Sequence, residues 1–165
     1  EINIFQRDVR RKVVTHYAIS QDIDDLQNGL VLLNMVVDVE RVGDYTKNIL
    51  DLALNHPNII KSEEFSEDLY HVEQEVISRF SKTLEAIHTQ DADVARSMMA
   101  TYKETLTSIS DDIVNGCISG KITLGDESKT VSLALYARYL KRIGAHLKNI
   151  TTVLINPFDA VGYKQ

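Results

Sequence analysis

Tryptophan is absent from this 165-residue chain, proline occurs twice and cysteine once. With so few breakers and only seven glycines, long helices are expected rather than a strand-rich fold, whose many turns would draw on both residues. The single cysteine, Cys117, excludes an intrachain disulfide, and a reducing cytoplasm is the simplest compartment. Its expected role is that of a small apolar residue near a helix end. Basic charge is short as well: 18 Lys and Arg face 24 Asp and Glu, a net charge of −6. That leaves no surplus to neutralise the phosphates of a nucleic acid and disfavours plain adhesion to anionic lipid. No apolar run reaches the roughly 20 residues that span a bilayer, and no signal peptide is visible. The Ser, Cys and His residues come without a glycine-rich elbow or phosphate loop, so no nucleophile constellation stands out and no enzyme is expected.

What the chain does have is helical periodicity. Ile2, Phe5, Val9, Val13 and Tyr17 make one apolar stripe over residues 2–17. Arg7, Arg10, Arg11 and Lys12 lie on its other side, read as a solvated face balanced by Asp8 four residues before Lys12. A second helix, capped by Ser20 or Asp22, is expected from 22 to 54, stopping before Asn55-His-Pro57. Its apolar face is Leu32, Met35, Val36, Val39, Val42, Thr46, Ile49 and Ala53, and at roughly 50 Å such a helix suits an elongated bundle. Ser62 starts a third helix, with Leu69, Val72, Val76, Phe80, Leu84 and Ile87 inward. After a break at Thr89-Gln-Asp91 comes a fourth with Val94, Met98, Tyr102, Leu106, Ile109 and Ile113, ending at Asn115-Gly116. A loop through Gly120 and Gly125 leads to a last helix from Glu127 to Leu154, followed by a tail that frays or docks through Phe158 and Tyr163. Five helices in an all-α, elongated antiparallel bundle are the expectation.

Within the second helix, Glu40-Arg-Val-Gly-Asp44 finds a second copy in Lys141-Arg-Ile-Gly-Ala145 at a constant offset of 101 residues. Arg-(Val/Ile)-Gly and Lys-Asn-Ile fall in register in both, so an internal duplication is expected. Residues 1–55 then form a first repeat and 56–165 a second. The second shows three helices and the first only two, so a further N-terminal helix is expected, as is also suggested by a first residue other than Met. Without that helix, an apolar groove on residues 2–17 and 22–54 is either filled by a homodimer partner or left exposed. Gly43 lies on the apolar face, where the lack of a side chain lets a neighbouring helix come close.

Glu-Arg-(Ile/Val)-Gly-Asp-Tyr-x-Lys-Asn-Ile resembles the motif in each repeat of the PhoU family of phosphate-signalling regulators, and Glu1 to Arg11 is similar to the family's preceding helix. The resemblance implies two three-helix bundles side by side, the first here lacking its opening helix. It implies a cytoplasmic regulator of phosphate uptake and phosphate-responsive signalling that works through protein contacts. Its partners would be the ATPase of the phosphate ABC transporter and the phosphate-sensing histidine kinase.

Glu40 and Asp44, one helical turn apart, can supply oxygen ligands to a hard cation, although an i,i+4 acidic pair is by itself usually a solvated face. Resemblance adds weight, because the family binds multinuclear iron or zinc clusters through Glu/Asp-x-x-x-Asp motifs. It implies iron, zinc or another divalent metal at Glu40 and Asp44, with Asp8 reaching in from the neighbouring helix. The second copy has Lys141 and Ala145 at those places and is read as metal-free; His146 beside them is read as a core or surface residue. A rival di-iron reading of Asp68-x-x-His71 and Glu85-x-x-His88 fails within one chain, since both lie on one helix roughly 25 Å apart. Two further functional classes stay open, a metal-storage protein and a regulatory domain of a sodium–phosphate cotransporter. Apolar spans upstream in the reading frame would select the latter.

Overall fold

A computed structural model describes residues 1–20, 25–55 and 66–163. It is all-α, with no strand among the described residues. In chain order the elements are α1 (Ile2–Ser20), α2 (Leu26–Asn55), α3 (Ser66–Thr89), α4 (Ala92–Tyr102), a π-helical stretch (Lys103–Ser108), α5 (Ile109–Ile118) and α6 (Glu127–Thr152), with a short 3₁₀ turn at Phe158–Ala160. The expected starts at Asp22 and Ser62 and the stop at Pro57 lie outside the described residues. The first helix runs three residues past its expected end, and the second, at 30 residues, is still the longest.

α6 is the axis of the molecule. One side of it packs on α2, another on α3 and a third on α4–α5. Leu133, Ala137, Leu140, Ile143 and Leu147 from α6 meet Leu69, Val72 and Val76 from α3, Leu106 from the π-helical stretch and Ile113 from α5. Ile122 closes this core from the loop before α6 and pins that loop to the bundle. Asp126 caps α6 by accepting from the amides of Ser128 and Lys129, and Asp91 caps α4 in the same way on Asp93 and Val94. These side chains satisfy first-turn N–H groups that have no partner within the helix.

Three expected stripes need correction. On α1 only Val13 is buried, and Phe5 is 56% exposed. On α3 the buried line is Leu69, Val72, Val76, then Arg79, Thr83 and Ala86, whereas Phe80 and Leu84 are about half exposed. The helix turns two polar residues inward because each finds partners there. Arg79 pairs with Glu75 at 2.7 Å and donates to the Met98 carbonyl and the Thr101 and Thr105 hydroxyls, while Thr83 meets Thr151 at 3.2 Å. On α2 only Gly29 and Val36 are buried; Leu32 stays 43% exposed, and Thr46 and Ala53 are also exposed.

The fourth expected helix is one rod broken by the π-helical stretch and ends at Ile118, past Asn115-Gly116. Its inward residues Met98, Tyr102, Leu106 and Ser110 recur every four positions, a spacing that drifts around an α-helix but is held in line by a wider turn. The tail docks rather than frays: Asn156 donates to the Ala160 and Tyr163 carbonyls, and the Gly162 amide donates to Thr152 Oγ1 at 2.7 Å. Phe158 is half-buried beside Leu26 and Leu30, while Tyr163 stays exposed.

Candidate functional site

The two copies of the Arg-(Val/Ile)-Gly turn face each other where α2 and α6 cross antiparallel. Asp38 meets His146, Nδ1 to Oδ1 at 2.7 Å, and Tyr45 meets Tyr139 with ring centroids 6.0 Å apart. The 101-residue shift turns each of these contacts into the other. Tyr45 and His146, counterparts themselves, stack at 5.7 Å with planes 23° apart. The motif glycines serve one purpose in both copies. A Cβ at Gly43 would come within 2.7 Å of Ile2 Cδ1, and one at Gly144 would collide with Leu106 Cδ2. In each copy the preceding helix lays an apolar side chain on the motif helix, so the expected close approach is present.

Charge separates the copies. In the first, Arg41 lies between the two acids, with Nε 3.6 Å from Glu40 and Nη1 3.2 Å from Asp44. Glu40 is only 13% exposed and Asp44 41%. In the second, Lys141 reaches Asp111 of α5 and contacts both carboxylate oxygens at 2.6 Å. Arg142, the counterpart of Arg41, instead lies over the Tyr45 ring at 5.6 Å and donates to its hydroxyl. The ring at the matching place for Arg41 is His146, which is tied to Asp38. An imidazole offers a guanidinium less than a phenol ring does, particularly once committed to a carboxylate. Arg41 therefore turns to its own helix's acids.

Asp8 does not join Glu40 and Asp44. Tyr17 lies against Gly29 and Ile2 against Gly43, an antiparallel register that sets Asp8 level with Val37 and Asp38, and Asp8 pairs with Arg11 at 3.4 Å rather than with Lys12. Among the described residues, no group of three or more His, Cys, Asp or Glu gathers closely enough to hold a metal ion. The described residues thus do not fit a multinuclear cluster. Glu40 and Asp44 on their own are two oxygen donors that share a guanidinium, a set suited to one hard cation keeping most of its water.

Sequence reading missed Asp38, which accepts from His146 and from Asn149 Nδ2 at 3.1 Å. The signal was present: Asp38 and Tyr139 are counterparts, as are Tyr45 and His146, so an acid at one place and a histidine at the other mark an exchanged contact. His146 Nε2 is buried without a hydrogen-bond partner among the described residues. Elsewhere, burial raises the Cys117 thiol above its ordinary value, in keeping with an inert apolar role near a helix end. Burial and then the Glu73 carboxylate it donates to push the Tyr136 hydroxyl well up, and burial lowers Lys148. No helix among the described residues is long and apolar enough to cross a membrane.

Comparison with known proteins follows the same residues. A family model described as PhoU domain matches residues 69–154. A phosphate-specific transport system accessory protein PhoU homolog of Clostridium acetobutylicum is 26% identical over 154 residues, 90% of this chain and 68% of the relative. One from Pseudomonas putida is 27% identical over 161 residues, 94% of this chain and 61% of the relative. No solved structure matches the chain.

Proposed function

We infer the role of this chain from its kinship: it belongs to the PhoU family. It acts as a regulator of phosphate transport, and it does so by binding other proteins in the cytoplasm. The observation that carries this reading is the alignment of nine-tenths of the chain with two relatives named as accessory proteins of phosphate-specific transport systems. The partners proposed are the ATPase of the phosphate ABC transporter and the phosphate-sensing histidine kinase. Mutually exclusive contacts with the two suffice for regulation, and no catalytic step is needed. The net charge of −6 fits a protein that reaches the membrane through a partner rather than through anionic lipid.

Fractionation tests this directly. The protein should sediment with membranes that contain the phosphate transporter and stay in the supernatant when the transporter is deleted. Equal recovery on protein-free vesicles of anionic lipid would contradict it.

A second reading concerns Glu40 and Asp44, which we propose as a site for a single divalent cation in the first repeat. Its support is the exposed Asp44 one turn from Glu40, with only the half-exposed Arg41 between them. Its test closes the Discussion.

A further inference from the structure

Along α1, Ile4, Arg7, Arg11 and Val14 follow one another at steps of three, four and three residues. That spacing is the seam of a coiled coil, and at about 100° per residue it keeps the four side chains within an arc of about 80°. All four are exposed, Ile4 at 55% and Val14 at 65%. Arg10, also exposed, flanks the seam beside Val14. Among the described residues Arg7 and Arg10 have no acid partner, and Arg11 has only its 3.4 Å contact to Asp8, between side chains 75% and 49% exposed. The seam turns away from the side on which α1 packs. Ile2 meets Gly43 and rims the apolar groove between α2 and α3; it lies about 140° around the helix from Arg7 and about 180° from Arg11.

The second repeat shows that the fold does not ask for these arginines. Ile2 on Gly43 corresponds to Leu106 on Gly144, so Arg7, Arg10, Arg11 and Val14 correspond to Asp111, Val114, Asn115 and Ile118. Those four line one groove against α6 without a basic side chain among them. Neither packing nor composition accounts for three guanidiniums on one exposed helix face of a chain whose net charge is −6.

We propose that this seam docks an acidic amphipathic helix of a partner protein, an inference that rests on the reading above that the chain works through protein contacts. Guanidinium groups present paired N–H donors that match the two oxygens of a carboxylate. The docked helix would set carboxylates against Arg7 and Arg11, with Arg10 at their side, and apolar residues at the same spacing against Ile4 and Val14. The apolar ends choose a helix over other anions. A free phosphate has no use for Ile4 and Val14, which stand about 15 Å apart along the axis. An anionic membrane would meet the acidic remainder of the chain along with the arginines. A helix of about three turns covers the whole seam. Exposed ion pairs are individually weak, so the contact is reversible, as exchange between partners requires.

The test places a photo-crosslinking benzophenone side chain at Thr15, exposed beside Val14, in the full natural chain within the cells that make it. Illumination should join that position to a helical segment of another protein rich in Asp and Glu, identified by sequencing the joined peptides. Arg7→Glu with Arg11→Glu should cut the adduct at least about tenfold, since like charges then face each other. The same pair should leave thermal unfolding unchanged, because both side chains are exposed. Arg138→Glu, equally exposed on α6, should leave the adduct intact. Changing two acids of the captured helix to Lys should restore the adduct with the doubly reversed chain. The proposal is overturned if no protein is joined, if the captured segment is neutral or basic, or if the adduct survives the double reversal. Capture of a lipid or of a second copy of this chain overturns it too. An acidic helix from a protein unrelated to phosphate transport keeps the proposal and ends the functional reading above; a transport protein captured through a segment without acids does the opposite.

Discussion

The turn around Gly43 and the turn around Gly144 share their packing and differ in their charge. Both lay an apolar side chain from the preceding helix on the glycine, and both send an aromatic ring toward the α2–α6 crossing, but only the second sends its arginine, Arg142, onto a ring there. The cation at the acid position comes from different sources. In the second turn Lys141 is built into α6 and holds Asp111 of α5; in the first, Glu40 and Asp44 depend on Arg41 of their own helix. The difference traces to one pair of counterparts, Tyr45 and His146. The phenol ring accepts Arg142, whereas the imidazole is taken by Asp38. The packing is thus shared while the electrostatics differ, because sterics at a glycine tolerate little change and partly exposed charges tolerate much.

Substitution at the two glycines should split the turns most widely. Gly144→Ala forces a methyl against the fully buried Leu106 and should lower stability by about 2–3 kcal/mol, or about 4–12 °C in Tm for a chain of this size. Gly43→Ala meets only the tip of Ile2 near the chain start, and the gain of about 1 kcal/mol in helix propensity offsets that contact. Its change should stay within about 1 kcal/mol of zero. Equal, large losses at both positions by denaturant titration would show that the first turn is packed as tightly as the second.

Next comes the crossing itself. Asp38→Ala removes the partner of His146 and of Asn149 in a largely buried place and should cost about 2 kcal/mol. Asp38→Asn, which keeps an acceptor, should cost less. A loss below about 0.5 kcal/mol for the alanine variant would mean that the stacked rings alone hold the crossing. Lys141→Ala should cost about 1 kcal/mol, since Asp111 is 40% exposed and water takes over part of the lost pairing. Smallest of all, Glu40→Ala with Asp44→Ala should change stability by no more than about 0.5 kcal/mol in metal-free buffer.

Much of the fold was legible because apolar periodicity, proline scarcity and capping residues act locally. The breaks before α4 and α6 were legible, and Asp91 and Asp126 cap those helices because short carboxylates reach first-turn amides. Phe80 and Leu84 misled because pattern reading places large apolar side chains inward, and cannot see that Arg79 has Glu75, Met98, Thr101 and Thr105 waiting for it. The same limit hid the Asp38–His146 contact, which joins residues 108 positions apart. The π-helical stretch was visible only as a run of four-residue steps, which an α-helix carries almost as well. At the candidate site, the spacing placed Glu40 and Asp44 on one helix turn. It gave no sign that Arg41 would turn to them, because that choice is made across the crossing by His146.

Whether the first turn holds a metal where the second cannot is decided by metal content per chain, measured on protein purified without chelator and then equilibrated with Mn²⁺. Wild-type protein should hold one ion, Glu40→Ala with Asp44→Ala should hold none, and Arg41→Gln should bind more tightly than wild type. Lys141→Glu with Ala145→Asp should add a second ion beside Asp111. Metal that remains after both Glu40 and Asp44 are gone would contradict the assignment.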